Sequence, residues 1–276
     1  MTMTGFGRDY LAARTGFLYR GTAVWGVVVT ILAAVGLVLA SLIFQSIAGA
    51  VTSWLLYGTE PRDAMDFGKA FLIGLLPAGV AAAALAWWLA GRSPAERNER
   101  LGLHVPALGP LGWLVVILGF LAAMYAFIIA VTVLLGINPA DYTPGPNGES
   151  PESGSAGLVK ELMFSIANDP RLFMLVFPAV VIGAPVAEEI IFRGQMFAAL
   201  ANSRVGRVGA SVITSALWAL MHMSEPWLSI GLIFVMGLVL SWLLLRYGSL
   251  TLTMILHGVW NGVYSLLIFA GLANMP

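Results

Sequence analysis

Long apolar runs separated by short polar breaks organise this chain. A bilayer crossing takes about 20 predominantly apolar residues, and seven such runs stand at about 22–50, 69–91, 107–136, 171–201, 209–224, 227–245 and 249–272. Each predicts a transmembrane helix. The fifth is short and stops before Pro226, and the fourth carries Pro178 and Pro185, residues that break or kink a helix. A further stretch, Leu158 to Asn168, reads as a short interfacial helix or an eighth, partial crossing. Between the third and fourth runs lies NPADYTPGPNGESPESGSAG, rich in Pro, Gly and Ser and acidic, which predicts a flexible loop. It divides the chain into an N-terminal part, 1–137, with three spans, a loop, 138–157, and a C-terminal part, 158–276, with four. The fold class expected is an all-α polytopic bundle of seven or eight transmembrane helices around a polar intramembrane cavity.

Composition narrows the functional classes. The 276 residues are 59% apolar and 10% charged, against about 45–50% and about 25% in soluble domains. A soluble globule could not cover its surface with so few polar groups, and a disordered tail has the opposite composition. The 14 Lys and Arg balance 14 Asp and Glu, so the basic excess of a nucleic-acid binder is missing. Without cysteine there is no disulfide, thiolate metal site or thiol nucleophile. The lipid bilayer is the expected partner and nucleic acid is not.

Basic residues suggest orientation. A cytoplasmic N-terminus puts Arg8, Arg14, Arg20, Arg92, Arg97, Arg100, Arg204, Arg207 and Arg246 on one side, and only Arg62, Lys69, Lys160 and Arg171 on the other. Arg193 remains inside the fourth span. The run after the first 21 residues is too long for a cleavable signal and reads as an anchor. The expectation is a multi-pass protein of the bacterial cell (inner) membrane with its N-terminus in the cytoplasm.

Charges at mid-span cost about 2.5–3.5 kcal/mol each on insertion scales and are functional candidates by default. The fourth span reads A-P-V-A-E-E-I-I-F-R-G-Q from Ala184, burying Glu188, Glu189 and Arg193. The fifth holds Trp218-Ala-Leu-Met-His222, and the seventh His257-Gly-Val-Trp-Asn261. Residues four apart share a helix face, so Glu189 can pair with Arg193, Trp218 lies over His222, and His257 beside Asn261. Glu188 is rotated about 100° from Glu189 and can face a cavity. From the expected helix ends, Glu188 and His222 lie about 20 Å deep, His257 about 12 Å and Asn261 about 18 Å. Three helices therefore place polar groups in one layer.

A carboxylate beside an imidazole can take a proton from water and make it nucleophilic. A second imidazole and an amide can stabilise an oxyanion. Glu188, His222 and His257 could instead bind a divalent metal such as zinc. Blander readings also exist. Glu188, Glu189 and Arg193 form a structural ion network in one, and His257 with Asn261 is a helix-packing pair in another. A proton-coupled transporter using a Glu/His relay is a third. His104 lies in the connection before Pro106 and reads as solvated or interfacial, with no role.

Glu-Glu-x-x-x-Arg, aromatic-x-x-x-His and His-x-x-x-Asn, in that order on successive membrane helices, resemble the CPBP family of intramembrane proteases. That family includes type II CAAX prenyl endopeptidases and bacteriocin-processing or immunity proteins. The resemblance covers Glu188 to Asn261; Trp218 stands where the family more often has Phe. It implies a bundle of about eight helices, with Glu188 and His222 activating water, His257 and Asn261 holding the oxyanion, and Glu189 and Arg193 supporting the site. It implies a membrane protein or peptide as substrate, lipidated in the CAAX case. A metal-free reaction is the favoured reading, because Asn261 suits oxyanion donation better than zinc ligation, with zinc as the alternative. A non-catalytic scaffold or immunity protein of the same architecture is the second functional reading.

Overall fold

The structure is a computed structural model that describes residues 17–58, 64–136, 162, 165–166, 168–225 and 227–273. The loop expected at 138–157 lies outside the described residues, as does most of the segment 158–168. Helices come in the order α1 (Val27–Tyr57), α2 (Ala64–Leu89), α3 (Pro94–Leu101), α4 (Pro110–Leu135), α5 (Pro170–Ala201), α6 (Gly206–Leu220), α7 (Trp227–Tyr247) and α8 (Leu250–Ala273). No strand occurs among the described residues.

Local chemistry sets the helix ends. Pro94, Pro110 and Pro170 stand at first-turn positions, where a missing N–H costs nothing. Ser93 and Asp169 cap α3 and α5 by accepting backbone N–H bonds. Glycines in the left-handed region follow α1, α3 and α4 at Gly58, Gly102 and Gly136.

Six helices are long and apolar enough to cross a membrane, by length and composition: α1, α2, α4, α5, α7 and α8. The run expected at 209–224 is the correction. It forms α6, a helix of 15 residues, about 22 Å long at 1.5 Å per residue and shorter than the roughly 30 Å hydrocarbon layer. The chain turns at Met221–Glu225. Among the described residues, six of the seven expected runs thus form long helices and this one forms a short helix. The outer helices show why the protein is an integral multi-pass membrane protein. In α4 only 11% of the most apolar window is buried within the protein, and Leu111, Val133 and Leu134 are strongly exposed. So much apolar surface needs lipid around it.

α5 lies at the centre. Its two prolines do not break it. The helix shifts instead into wider π register at Ala179–Gly183 and again at Glu189–Met196, with a short α stretch between. Single turns of this register cluster at functional sites. Every residue of Glu189–Met196 is buried. α2 packs along α5 and is tied to it by the Gln195 side-chain amide, which donates to Ala86 O. α8 lies on the first π segment. Its start is clasped by the connection after α3, where Leu250 N donates to Gly102 O (2.9 Å) and the Ser249 hydroxyl to His104 O. The His104 side chain is exposed, as expected of a residue in that connection. These contacts settle how α8 presents His257 and Asn261 to α5.

Candidate active site

Glu189 anchors the polar cluster. Its side chain and that of Arg193 are fully buried, and Arg193 Nη1 donates to Glu189 Oε1 at 3.0 Å. The pairing expected from the four-residue spacing is present, although the turn between them is π. The same oxygen also receives His257 Nδ1 at 3.2 Å. This second bond, between α5 and α8, is one that spacing along a single helix could not reveal. It makes Glu189 the group that orients His257. Because a carboxylate only accepts, His257 Nδ1 carries the hydrogen and Nε2 is left to face the site.

Glu188 sits next to it, with its side chain 19% exposed. Its Oε2 lies 4.0 Å from His257 Nε2. Trp218 Nε1 donates to that same oxygen at 2.5 Å. The sequence pattern marked Trp218 only as an aromatic; that its indole N–H would meet Glu188 depends on how α6 is rotated against α5. Trp218 is 1% exposed. Its ring carries the Arg193 guanidinium 4.2 Å above its centre, a favourable cation–π position. It meets the His257 ring edge-on at 5.1 Å and the His222 ring edge-on at 5.6 Å.

His222 lies in the turn after α6, two residues beyond Leu220, and not within a span as expected. The helix is too short to include it. Its Nδ1 bonds to Trp218 O at 2.9 Å. A carbonyl can only accept, so Nδ1 donates, and in the neutral ring Nε2 is then an acceptor. No hydrogen bond joins His222 to Glu188; both touch Trp218.

Asn261 faces α5 at a different place. Its amide donates to Val180 O at 2.9 Å. Pro185 supplies no N–H, so a carbonyl one turn before it needs a donor from elsewhere in a medium without water. In the π segment that carbonyl is Val180, and Asn261 reaches it. Gly258 lets the helices come this close, since a Cβ there would stand 2.5 Å from Val181 O. One of the two amide hydrogens of Asn261 is therefore engaged in helix packing and one is left over.

The structure thus brings Glu188, Glu189, Arg193, Trp218 and His257 into direct contact, adds His222 through Trp218, and holds Asn261 one turn from His257 on the adjoining face. A zinc site would need Glu188, His222 and His257 to converge. Among the described residues, no three His, Asp or Glu side chains are grouped so as to hold a metal ion.

Residues 170–263 match the family model described as type II CAAX prenyl endopeptidase Rce1-like. The matched segment is CAAX-protease-like. It runs from the start of α5 into α8, roughly a third of the chain, and contains every residue of the cluster. No curated protein and no solved structure matches the chain. A CAAX-protease-like core points to proteolysis, and together with the six long apolar helices it implies a membrane-associated substrate.

Proposed function

We propose that the protein is an intramembrane endopeptidase that hydrolyses a peptide bond of a membrane-associated protein or peptide with a glutamate-activated water. The observation that carries this reading is Glu188: a partly exposed carboxylate at the edge of a buried ionic cluster, 4.0 Å from His257 Nε2, within the protease-like segment. Glu188 takes a proton as water adds to the carbonyl carbon. His222 Nε2, left as an acceptor, assists in placing that water. The tetrahedral oxyanion is held by His257 and by the second amide hydrogen of Asn261. Since His257 Nδ1 is given to Glu189, its Nε2 can donate only from the imidazolium. The C–N bond breaks as Glu188 returns its proton to the leaving amine. Glu189 and Arg193 touch no reacting atom; they hold His257 in place.

The reaction so written uses protein groups alone, and metal analysis of active protein with a chelator series tests that separately. In lipid nanodiscs, a quenched-fluorescent peptide ending in a farnesylated cysteine motif, and its unmodified counterpart, serve as probes. Glu188→Ala, His222→Ala and His257→Ala each abolish cleavage while remaining folded and inserted. Cleavage by Glu188→Ala at the wild-type rate would sink the assignment.

A non-catalytic scaffold is the second reading. What favours it is that His222 and Asn261 each bond a backbone carbonyl, as helix-packing residues do. It predicts that no panel of membrane peptides is cleaved, and that Asn261→Ala lowers stability only.

A further inference from the structure

We propose that Trp218 is a positioning residue for Glu188: its indole N–H holds Oε2 and so leaves Oε1 as the oxygen that meets water. The proposal rests on the hydrolytic reading above, but the hydrogen bond itself can be tested without it.

The indole is held from every side. It is 1% exposed on α6, with the Arg193 guanidinium over its face and the rings of His257 and His222 against its edges. A ring so enclosed cannot pivot, so the direction of its N–H is set by packing. A buried indole N–H needs an acceptor, and here it finds Glu188 Oε2 at 2.5 Å. The charged and titratable groups around Glu188 are Glu189 and Arg193 on its own helix, His257 on α8, and His222 beyond the indole. Of these, His257 Nε2 also lies nearest Oε2, at 4.0 Å. Among the described residues no hydrogen bond is made to Oε1. One carboxylate oxygen is thus fixed by a rigid donor, and the other is free for a water molecule.

Packing alone would not require this. A phenyl ring at position 218 could still lie under Arg193 and between the imidazoles. The N–H is what packing does not need: Trp218→Phe removes it together with some ring volume, and β-(3-benzothienyl)alanine removes it at nearly the same shape.

The experiment has two arms in nanodiscs. In the first, Trp218→Phe is compared with wild type on the farnesylated peptide; kcat falls about 10- to 100-fold, the loss expected for a hydrogen bond to a charged group, with KM within about twofold. In the second, thermal unfolding is followed for Trp218→Phe, Glu188→Ala and the double variant. The two substitutions couple, so that the double variant loses less than the sum of the singles. Wild-type kcat in Trp218→Phe, or strict additivity in the cycle, would overturn the proposal. If wild type cleaves no probe, the hydrolytic reading fails while the cycle still tests the bond. Should Trp218→Phe fail to insert, β-(3-benzothienyl)alanine at position 218 replaces the N–H by sulfur at nearly the same shape, and the same two outcomes decide.

Discussion

Removing the charge of Arg193 should be one of the most damaging single changes in this protein, and removing that of its partner as well should largely undo the damage. Both side chains are fully buried, and Glu189 Oε1 accepts from Arg193 at 3.0 Å and from His257 at 3.2 Å. Arg193→Met keeps similar length and an apolar stem on the Trp218 ring, but leaves a buried carboxylate with His257 and the Thr253 hydroxyl, and no longer the full opposing charge of Arg193, to offset it. Breaking a buried ion pair from one side costs about 3–5 kcal/mol. Against a total of about 5–15 kcal/mol, that is a fifth of the stability or more. Glu189→Gln in addition removes the second charge while leaving an amide oxygen to accept from His257. Replacing a whole buried pair is typically neutral or stabilising by about 1–4 kcal/mol. The assay is denaturant unfolding in mixed micelles, with insertion checked by protease protection. An ordinary hydrogen bond between membrane helices averages only about 0.6 kcal/mol. A loss of that size in Arg193→Met, or a double variant as unstable as the single, would show that Glu189 is not a buried charge dependent on Arg193.

Two further outcomes follow from the geometry. A Cβ at Gly237 would stand 2.7 Å from the Ser215 side chain and 2.9 Å from Arg193 Nη2. Gly237→Ala should therefore cost about 1–3 kcal/mol by overpacking in the same unfolding assay, and Ser215→Gly should recover only part of it, because the guanidinium is still displaced. At the membrane edge, Glu96 accepts from the Arg92 backbone N–H at 2.8 Å, and it also pairs with Arg100 at 2.7 Å; these contacts hold its carboxyl below the ordinary glutamate value. With the folded value depressed, its contribution is present above the unfolded value and lost as pH falls through the folded one. Amide exchange at Arg92, followed by NMR, should stay slow through neutral pH and quicken only in acid below the normal glutamate range; Glu96→Gln should abolish that acid step.

Much of the architecture is legible from residue types alone. Apolar runs locate the long helices because lipid leaves the backbone no other partner than itself. Pro94, Pro110, Pro170, Gly58, Gly102 and Gly136 mark ends, since each residue type suits only one kind of terminus. Spacing of four also reads correctly for Glu189 with Arg193, a contact within one helix. It fails at contacts between helices. Nothing in Trp218-Ala-Leu-Met-His222 says that the indole N–H meets Glu188, because the answer lies in the rotation of α6 against α5. Nor does it say that α6 stops before His222. An apolar run can continue in composition after the helix has turned, and Ser224 to Pro226 is the local signal that outweighs it.

Asn261 shows what kind of reasoning can close that gap. Its place beside His257 suggests a shared catalytic face, yet its amide meets a carbonyl on α5. The clue is Pro185, two long helices away in sequence. A proline in a membrane helix leaves a carbonyl that water cannot serve, so some polar side chain on a neighbouring helix has to serve it. Few candidates exist in a chain with so little polarity, and Asn261, with two donors and a glycine one turn before it to allow close approach, is the best equipped. The consequence is testable on both sides of the bond. Asn261→Leu removes the donor and should lower stability, while Pro185→Ala restores an N–H to α5 and should make the Asn261 substitution cheaper. If Asn261→Leu costs the same with or without Pro185, the proline is not what draws Asn261 to Val180. The amide would then have only the active site to account for its place in the membrane.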